Sequence, residues 1–306
     1  MAIITGVDCT ATRFGTGMEV CQAIEGLPKG FILTPKGWQL SKSAGTFNKA
    51  YVEDQIQLGN FIPFTNAFDM VSETPDATTE ESQSGLMSVV RQGKPTITAT
   101  FKKGLAFQKA SFSYNTFEQY DVLMTYETGM IKAVETVDGT AIKALSVGML
   151  NTNGYSENNG TNSASTIVKF QITDPFEYNQ YAVLLTNLDF NPNTELNGIT
   201  DVVLTGTADA SDNKVYVKAV WKHNESFNLS IFSSSNFRLT VNGVANTIVS
   251  ATWNTLTKQY EITPTVAITV GQSCVVQLYD ATVPVATAVV VNKFYKGVTP
   301  AIVTVA

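Results

Sequence analysis

Pairs of neighbouring carboxylates are the side chains of this sequence that come closest to a catalytic pattern. Glu53 is followed by Asp54, and Glu80 by Glu81. Two carboxyl groups facing each other across a cleft are the minimum that glycoside hydrolysis needs. Adjacent residues on a strand or a helix point in different directions, so neither pair is expected to converge on one bond. We assign no catalytic residue and predict that the protein is not an enzyme.

The chain has few of the residues that bind metals or act as nucleophiles with a histidine base. There is one histidine, His223, and the three cysteines Cys9, Cys21 and Cys274 form no C-x-x-C pair. Catalytic triads and most zinc sites need imidazole or paired thiolates. Residues 209–213 have the aspartates of a calcium loop but lack its glycine and closing glutamate. We therefore predict no metal site and no cofactor.

Charge and hydropathy argue against two further classes. The 306 residues carry a net charge of −6, which disfavours a protein that holds nucleic acid by neutralising phosphates. The apolar runs are too short to span a bilayer, and the first residues lack the pattern of a secretory signal. The cysteines show no disulfide framework, which favours buried free thiols in a reducing compartment. We expect a folded protein that stays in the cytoplasm in which it is made.

A turn-rich connector divides the chain into two predicted domains, residues 1–197 and residues 198–306. Residues 191–198 contain Asn-Pro-Asn and Asn-Gly turns, which mark loops. The first domain carries 13 basic and 20 acidic side chains, whereas the second carries seven and six. The acidity of the chain therefore belongs to its first domain.

The second domain is predicted to be an immunoglobulin-like β-sandwich. In residues 214–221 (KVYVKAVW), Val215, Val217 and Trp221 alternate with other side chains, as in a strand with one buried face and a buried tryptophan. About seven short strands in about 110 residues are typical of such a sandwich. The further alternating runs are 237–241, 248–253, 260–262, 275–279 and 288–294.

The first domain is predicted to be a mainly β structure, a β-sandwich or half-barrel with one or two short helices. Capping residues indicate helices at 115–124 and 174–184. Two polar stretches, 74–84 and 151–165, are predicted to be surface loops. Alternation and turn residues predict strands at 30–33, 38–40, 89–90, 96–101 and 107–114.

The order of these segments resembles a family of virion proteins. Residues 74–104 (TPDATTEESQSGLMSVVRQGKPTITATFKKG) lead from an acidic polar loop into a strand pair through residues 91–95. Strand, helix and strand follow up to Gly148, and an immunoglobulin-like domain is appended. This order resembles the tail tube (major tail) proteins of long-tailed bacteriophages, and the resemblance spans most of the chain.

The resemblance implies a structural protein of the phage tail, assembled in the cytoplasm of a bacterial host. Subunits would join sheet edges into rings, expected to be hexameric, that stack into a tube and conduct double-stranded DNA without binding it specifically. Closing a sheet across subunits removes exposed strand edges. The long loop would reach the next ring. The implied partners are further copies of the chain, other tail proteins and, through an outward-facing second domain, weakly bound host-surface glycans.

Acidic residues are candidates for the channel wall or the contact between rings. An acidic wall repels DNA and lets it slide, because each neutralised phosphate would add affinity. The candidates are Glu53, Asp54, Asp69, Glu73, Asp76, Glu80 and Glu81.

Three alternatives stay open from the sequence. The chain is also compatible with another phage structural component, such as a head–tail ring, baseplate or capsid protein. A bacterial surface adhesin with an immunoglobulin-like domain is the second alternative. A carbohydrate-active enzyme is the third, and it would need two carboxyl groups about 5–9 Å apart in a cleft. Self-assembly separates the virion proteins from the other two.

Overall fold

The computed structural model describes residues 4–5, 25–43, 46–280, 289–291 and 295–306. Most of its regular structure is strand, which confirms the prediction of a mainly β protein. The chain forms two compact units, Met1–Gly198 and Ile199–Ala306. Within the described ranges, no helix has the length and apolar character needed to cross a membrane. Cys274 is a buried free thiol, and Cys9 and Cys21 lie outside the described residues.

The first unit alternates long runs of strands with short helices. Its elements in chain order are β1 (Ile4–Thr5), β2 (Pro28–Pro35), β3 (Gln39–Ser41), α1 (Lys49–Gln57), β4 (Ile62–Phe64), β5 (Asp69–Glu73), β6 (Thr78–Glu81), β7 (Met87–Arg91), β8 (Thr96–Phe101), α2 (Leu105–Phe112), β9 (Thr116–Phe117), β10 (Tyr120–Tyr126), β11 (Ile131–Glu135), β12 (Ala141–Lys143), β13 (Leu145–Thr152), β14 (Thr166–Ile172), α3 (Pro175–Gln180) and β15 (Ala182–Thr186).

One large antiparallel sheet organises this unit. Its main path is β1-β15-β11-β10-β13-β14-β8-β5, and β2, β3, β4, β9 and β12 pair at its sides. The ring of Phe31 on β2 lies 4.8 Å from that of Phe64 on β4 and 5.1 Å from that of Phe170 on β14. Strands β2 and β14 are not neighbours in the sheet, so the sheet must curve around this aromatic core.

A buried carboxylate fixes the middle of the sheet. Asp121 on β10 accepts hydrogen bonds from Lys36 Nζ at 2.9 Å, Gly37 N at 2.8 Å and Val147 N at 3.2 Å. A buried charge is tolerated only when it is paired and hydrogen-bonded. Asp121 therefore ties the turn after β2 and the strand β13 to the centre of the sheet.

Two element predictions in this unit are wrong. Residues 107–114, predicted as a strand, lie mostly in helix α2, where residues 102–115 contain no β-branched side chain to favour a strand. Residues 115–124, predicted as a helix, form β9 and the start of β10. The Asn115 amide does not cap a helix, because its Oδ1 accepts from Thr152 N at 2.6 Å and its Nδ2 donates to Thr152 O.

The predicted helix at 174–184 begins as expected and ends early. Asp174 Oδ1 accepts from Phe176 N at 2.9 Å and from Glu177 N at 3.2 Å, as a capping residue does. The helix α3 stops at Gln180 because β15 follows at once and pairs with β11. The stretch 151–165 begins with the last two residues of β13 and then runs as the largely irregular, exposed connection that was predicted.

The second unit is a sandwich of two sheets, as predicted. Its elements are β16 (Thr200–Asp209), β17 (Lys214–Trp221), β18 (Asn224–Asn228), a 3₁₀ turn (Ser234–Asn236), β19 (Phe237–Val241), β20 (Val244–Asn246), β21 (Ile248–Asn254), β22 (Gln259–Pro264), β23 (Ser273–Leu278), β24 (Val289–Val291), β25 (Tyr295–Thr299) and β26 (Ala301–Thr304). The larger sheet follows the order β21-β22-β17-β16-β25-β24 with β18 at its side, and the smaller is β20-β19-β23-β26.

Strand β17 follows its predicted alternation except at the end. Val215 and Val217 are fully buried, but Trp221 is only half-buried, which corrects the expected buried tryptophan. The register against β18 shifts between Val220 and Trp221, and Val220 is buried instead. The predicted run at 288–294 lies mostly outside the described residues.

Tyr260 on β22 occupies the centre of the sandwich and is fully buried. Its hydroxyl donates to Leu229 O at 3.0 Å and accepts from Phe232 N at 2.9 Å. Its ring lies 4.9 Å from that of Trp253. Burial raises the pKa of Tyr260 to about 12. One phenol therefore satisfies two buried backbone groups of the segment after β18.

Replacing Tyr260 with Phe should lower the free energy of unfolding of the second unit by about 1–3 kcal/mol, because Phe232 N–H and Leu229 C=O lose their partner. Urea titrations followed by the fluorescence of Trp221 and Trp253, in chains that carry Trp38→Phe, measure this change. In the wild-type chain, folding favours the neutral phenol, so its contribution is complete below the unfolded pKa near 10 and is lost as the pH rises towards 12.

The matched control is Tyr279→Phe, since Tyr279 lies at the surface. We expect it to change the free energy of unfolding by less than about 0.5 kcal/mol. Equal stabilities of Tyr260→Phe and Tyr279→Phe would contradict the role given to the buried phenol.

Candidate functional site

Strands β6 and β7 pair only with each other among the described strands and form a two-stranded sheet outside the large one. They continue the β5–β8 pair, whose last pair joins Glu73 and Thr96. We call residues 74–95 the arm. A strand rises about 3.3 Å per residue, so the paired part of the arm, four residues of β6 and five of β7, is roughly 15 Å long.

The arm corrects the loop predicted at 74–84. Thr78 lies opposite Arg91, and Thr79 lies opposite Val89, so β-branched side chains on both strands support the pairing. At the tip, Ser82 N donates to Leu86 O at 2.9 Å and Gly85 has φ +78. Glycine adopts that left-handed conformation without strain, which allows the tight turn.

The arm exposes apolar side chains. Every residue from 78 to 92 is exposed. Met87 lies opposite Glu81 and Val89 opposite Thr79, so Met87 and Val89 share one face with Glu81. Contiguous exposed apolar groups mark interaction surfaces. The exposed fractions are 73% for Leu86, 69% for Met87, 55% for Val89 and 62% for Val90.

Gly93 closes the base of the arm. A Cβ atom added to Gly93 would lie 1.7 Å from Pro75 O and 2.7 Å from Pro75 C. Such separations are far below van der Waals contact, so the two strands approach this closely only because residue 93 has no side chain. The geometry of the arm therefore depends on one glycine.

The acidic candidates fall into two groups. Glu53 and Asp54 lie on α1, where Glu53 is buried and Asp54 is exposed. The other five are exposed on β5 and the arm, and none of them belongs to an ion pair among the described residues. These five are Asp69, Glu73, Asp76, Glu80 and Glu81. One hairpin thus gathers five of the candidates, and the α1 pair stands on another element.

Helix α2 turns an apolar stripe to solvent, and sequence reasoning missed it. One face of the helix consists of Leu105, Lys109 and Phe112, which are spaced by four and three residues and are all exposed. The exposed fraction is 55% for Leu105 and 58% for Phe112. We call these three residues the α2 stripe. A helix at the surface of a lone soluble domain places its apolar stripe inward. The spacing of these residues, together with Ala106 and Ala110, is the signal that identifies the helix from sequence.

The inner face of α2 carries both polar and apolar side chains. Gln108 and Ser111 are buried, and Gln108 Nε2 donates to Asn153 O at 2.7 Å. Phe107 anchors the helix, since its ring lies 5.1 Å from that of Phe101 in the core. The helix therefore buries two polar side chains beside Phe107 and exposes Leu105 and Phe112.

The two surfaces differ in charge. The arm contains three acids and two basic residues, whereas residues 102–112, which include α2, contain three lysines and no acid. Lys102 and Lys109 are exposed. Lys103 Nζ donates to Thr65 O at 2.9 Å, and burial lowers the pKa of this lysine.

The second unit has a shallow surface groove of about 620 Å³ beside the smaller sheet. Its lining includes Ser234, Arg238, Asn246 and Tyr279. Arg238 is exposed, and Asn246 Nδ2 donates to Val266 O at 2.9 Å. In the part of the chain that the structure describes, no group of three His, Cys, Asp or Glu residues is arranged to hold a metal ion.

No known family model matches the sequence, and a search of curated proteins finds no significant similarity. Function must therefore be inferred from the surfaces of the molecule itself, of which the arm and the α2 stripe are the most unusual.

Replacing Gly93 with Ala should force Pro75 and residue 93 apart and fray the Thr78–Arg91 pair next to them. We expect tryptic cleavage after Arg91 to accelerate by roughly threefold or more, because the local opening free energy falls. Mass spectrometry of a digestion time course measures this rate. Gly154→Ala is the control, since a Cβ there meets nothing within 4 Å. Equal cleavage rates in the two variants would contradict the close approach at Gly93.

Proposed function

We propose that this protein is a structural subunit that assembles with its own copies into rings, stacked as a tube that conducts DNA. This is the function of the phage tail tube proteins that the sequence resembles. The main observation behind the proposal is the arm, which exposes Leu86, Met87 and Val89 along a surface that no other described part of the chain covers.

The energetics of the arm favour a partner. Burying a Leu, Met or Val side chain contributes about 1.5–3 kcal/mol. An isolated two-stranded hairpin is marginally stable in water, because it has no third layer to pack against. A contact that covers the arm therefore stabilises both the hairpin and the assembly. In a ring the same contact recurs at every subunit, which gives a closed structure from one kind of surface.

The edge of the large sheet supports lateral joining of subunits. Strand β5 is the last strand on its side of the sheet path and pairs with β8 in the described structure. An edge strand presents unpaired N–H and C=O groups that accept a strand from another chain. In β5, Met70 is buried while Val71 is exposed. Pairing of this edge with a neighbouring copy would extend the sheet around a ring.

The acidic side chains fit a conduit for DNA. Asp54, Asp69, Glu73 and Asp76 are exposed, as are Glu80 and Glu81 at the outer part of the arm. We assign these six to the channel wall or the contact between rings, and we leave out Glu53, which is buried. Acidic walls release DNA, since affinity for the polymer grows with each phosphate that a protein neutralises.

The proposal extends to location and to the second unit. A tail tube subunit assembles in the cytoplasm of the bacterial host and resides in the virion with other tail proteins. The groove of the second unit is the proposed site for weak contact with host-surface glycans. Its exposed Arg238 supplies hydrogen-bond donors, and the Tyr279 ring supplies a flat apolar face. This role involves no catalysis and no cofactor.

Negative-stain electron microscopy of the purified chain over a concentration series tests the proposal. We expect rings or tubes of one fixed diameter, whose number rises with concentration. A chain that stays monomeric at every concentration would overturn the proposal and would favour an adhesin.

Replacing Leu86, Met87 and Val89 together with Ser should keep the chain monomeric at concentrations where the wild type assembles, because the apolar surface of the arm is lost. Sedimentation velocity measures the assembled fraction. The free energy of unfolding should change by less than about 1 kcal/mol, since these side chains lie outside the core.

Val137→Ser is the matched control for the arm substitutions. Val137 is 83% exposed in the turn between β11 and β12, away from the arm in the sequence. We expect this variant to assemble like the wild type. Normal assembly of the triple variant would show that the arm has no part in self-association.

A further inference from the structure

We infer that the arm of one copy docks on the α2 stripe of a second copy. The inference rests on the proposed function and names the surface that receives the arm. Both surfaces belong to the first unit, and both are exposed in the described chain. The arm of a chain therefore does not lie on the α2 stripe of that same chain.

The apolar groups of the two surfaces match in kind and in extent. The arm offers Leu86 at its tip with Met87 and Val89 on one face. The stripe offers Leu105 and Phe112, which stand two helical turns apart with Lys109 between them. Two turns of helix span about 11 Å, and the Met87-to-Val89 face with the tip residue covers a similar length of strand.

The charges on these surfaces are complementary. Glu81 shares the arm face with Met87 and Val89, while Lys109 lies in the stripe between its apolar residues. Neither side chain belongs to an ion pair of the described structure. Exposed ion pairs add little affinity by themselves, but opposite charges set register and exclude wrong pairings. A Glu81–Lys109 pair would fix the arm along the helix.

The exposed apolar side chains of α2 point to a cover for its outer face. The helix buries Gln108 and Ser111 and leaves Leu105 and Phe112 in water. A second copy supplies a cover of the right composition, because every copy carries an arm. An arm-on-helix contact uses different patches on the two subunits, so it is heterologous and propagates into rings or stacked assemblies rather than closed dimers.

Charge reversal tests the pairing. Glu81→Lys and Lys109→Glu should each raise the concentration needed for assembly about tenfold, since each places like charges in contact. The double variant Glu81→Lys/Lys109→Glu restores the opposite charges and should assemble within about threefold of the wild-type concentration. Sedimentation velocity measures these values. Glu225→Lys and Lys258→Glu, two exposed positions in the second unit, are the matched controls and should behave like the wild type.

Disulfide trapping tests the geometry. One chain carries Met87→Cys and a second, differently tagged chain carries Phe112→Cys. With oxygen and a copper catalyst as the oxidant, we expect a disulfide between these positions only when the two chains are mixed at assembling concentrations, identified by mass spectrometry of the linked peptides. Mixing Met87→Cys with Val137→Cys is the control and should give no such link. The unsubstituted chain provides the background from Cys9, Cys21 and Cys274.

The outcomes separate the inference from the proposed function. Rings that form equally well from all charge variants, without the 87–112 link, would overturn the inference and leave the proposed function standing. A link formed within one chain that carries both cysteines would show that the arm covers its own helix, which also overturns it. A wild-type chain that never assembles would overturn both.

Discussion

The arm has no core of its own, and the proposed assembly follows from this constraint. Strands β6 and β7 are one layer thick, so both of their faces meet water. Strand β8, which follows β7 in the sequence, has a layer beneath it. Ile97, Ala99 and Phe101 alternate into the aromatic core and are fully buried. In Met87 and Val89 the same two-residue period places apolar side chains in solvent. What differs is the layer beneath, which no other described part of the chain supplies to the arm.

The surfaces that we assign to assembly are held by a rigid scaffold. The arm continues β5 and β8, whose pairing runs from Asp69–Thr100 to Glu73–Thr96. Helix α2 is anchored through Phe107, whose ring also lies 5.8 Å from that of Phe64 in the same core. Side chains placed by packed elements lose less conformational entropy on binding than those on loose segments. The α2 stripe is therefore preorganised for contact, whereas the arm, joined to the sheet only through β5 and β8, would gain order when it is covered.

Sequence reasoning succeeded where local pattern decides structure. The alternation in residues 96–101 predicts β8, and Asp174 with Pro175 predicts the start of α3. It failed where contacts with residues far away in the sequence determine the local structure. Asn115 has the pattern of a helix cap, yet its amide hydrogen-bonds to Thr152, 37 residues away. The end of α3 is likewise set by the pairing of β15 with β11.

The candidate site was predictable only in part. The acidic residues from 69 to 81 were recognisable as a group, and the hairpin brings them onto one feature. The burial of Glu53 was not predictable, because it depends on how α1 packs. The apolar side chains at 86–90 predict an ordinary buried strand. Only the structure shows that no layer covers them and that they are exposed. The same holds for the α2 stripe, whose exposure no local pattern determines.

The most direct test of self-association through the arm is hydrogen–deuterium exchange of the full chain below and above its assembling concentration. We expect the amides of residues 78–91 and of α2 to exchange more slowly in the assembled sample than in the monomeric one. The turn around Val137 should exchange equally fast in both samples. Exchange in residues 78–91 that is equally fast in monomer and assembly would contradict the role of the arm.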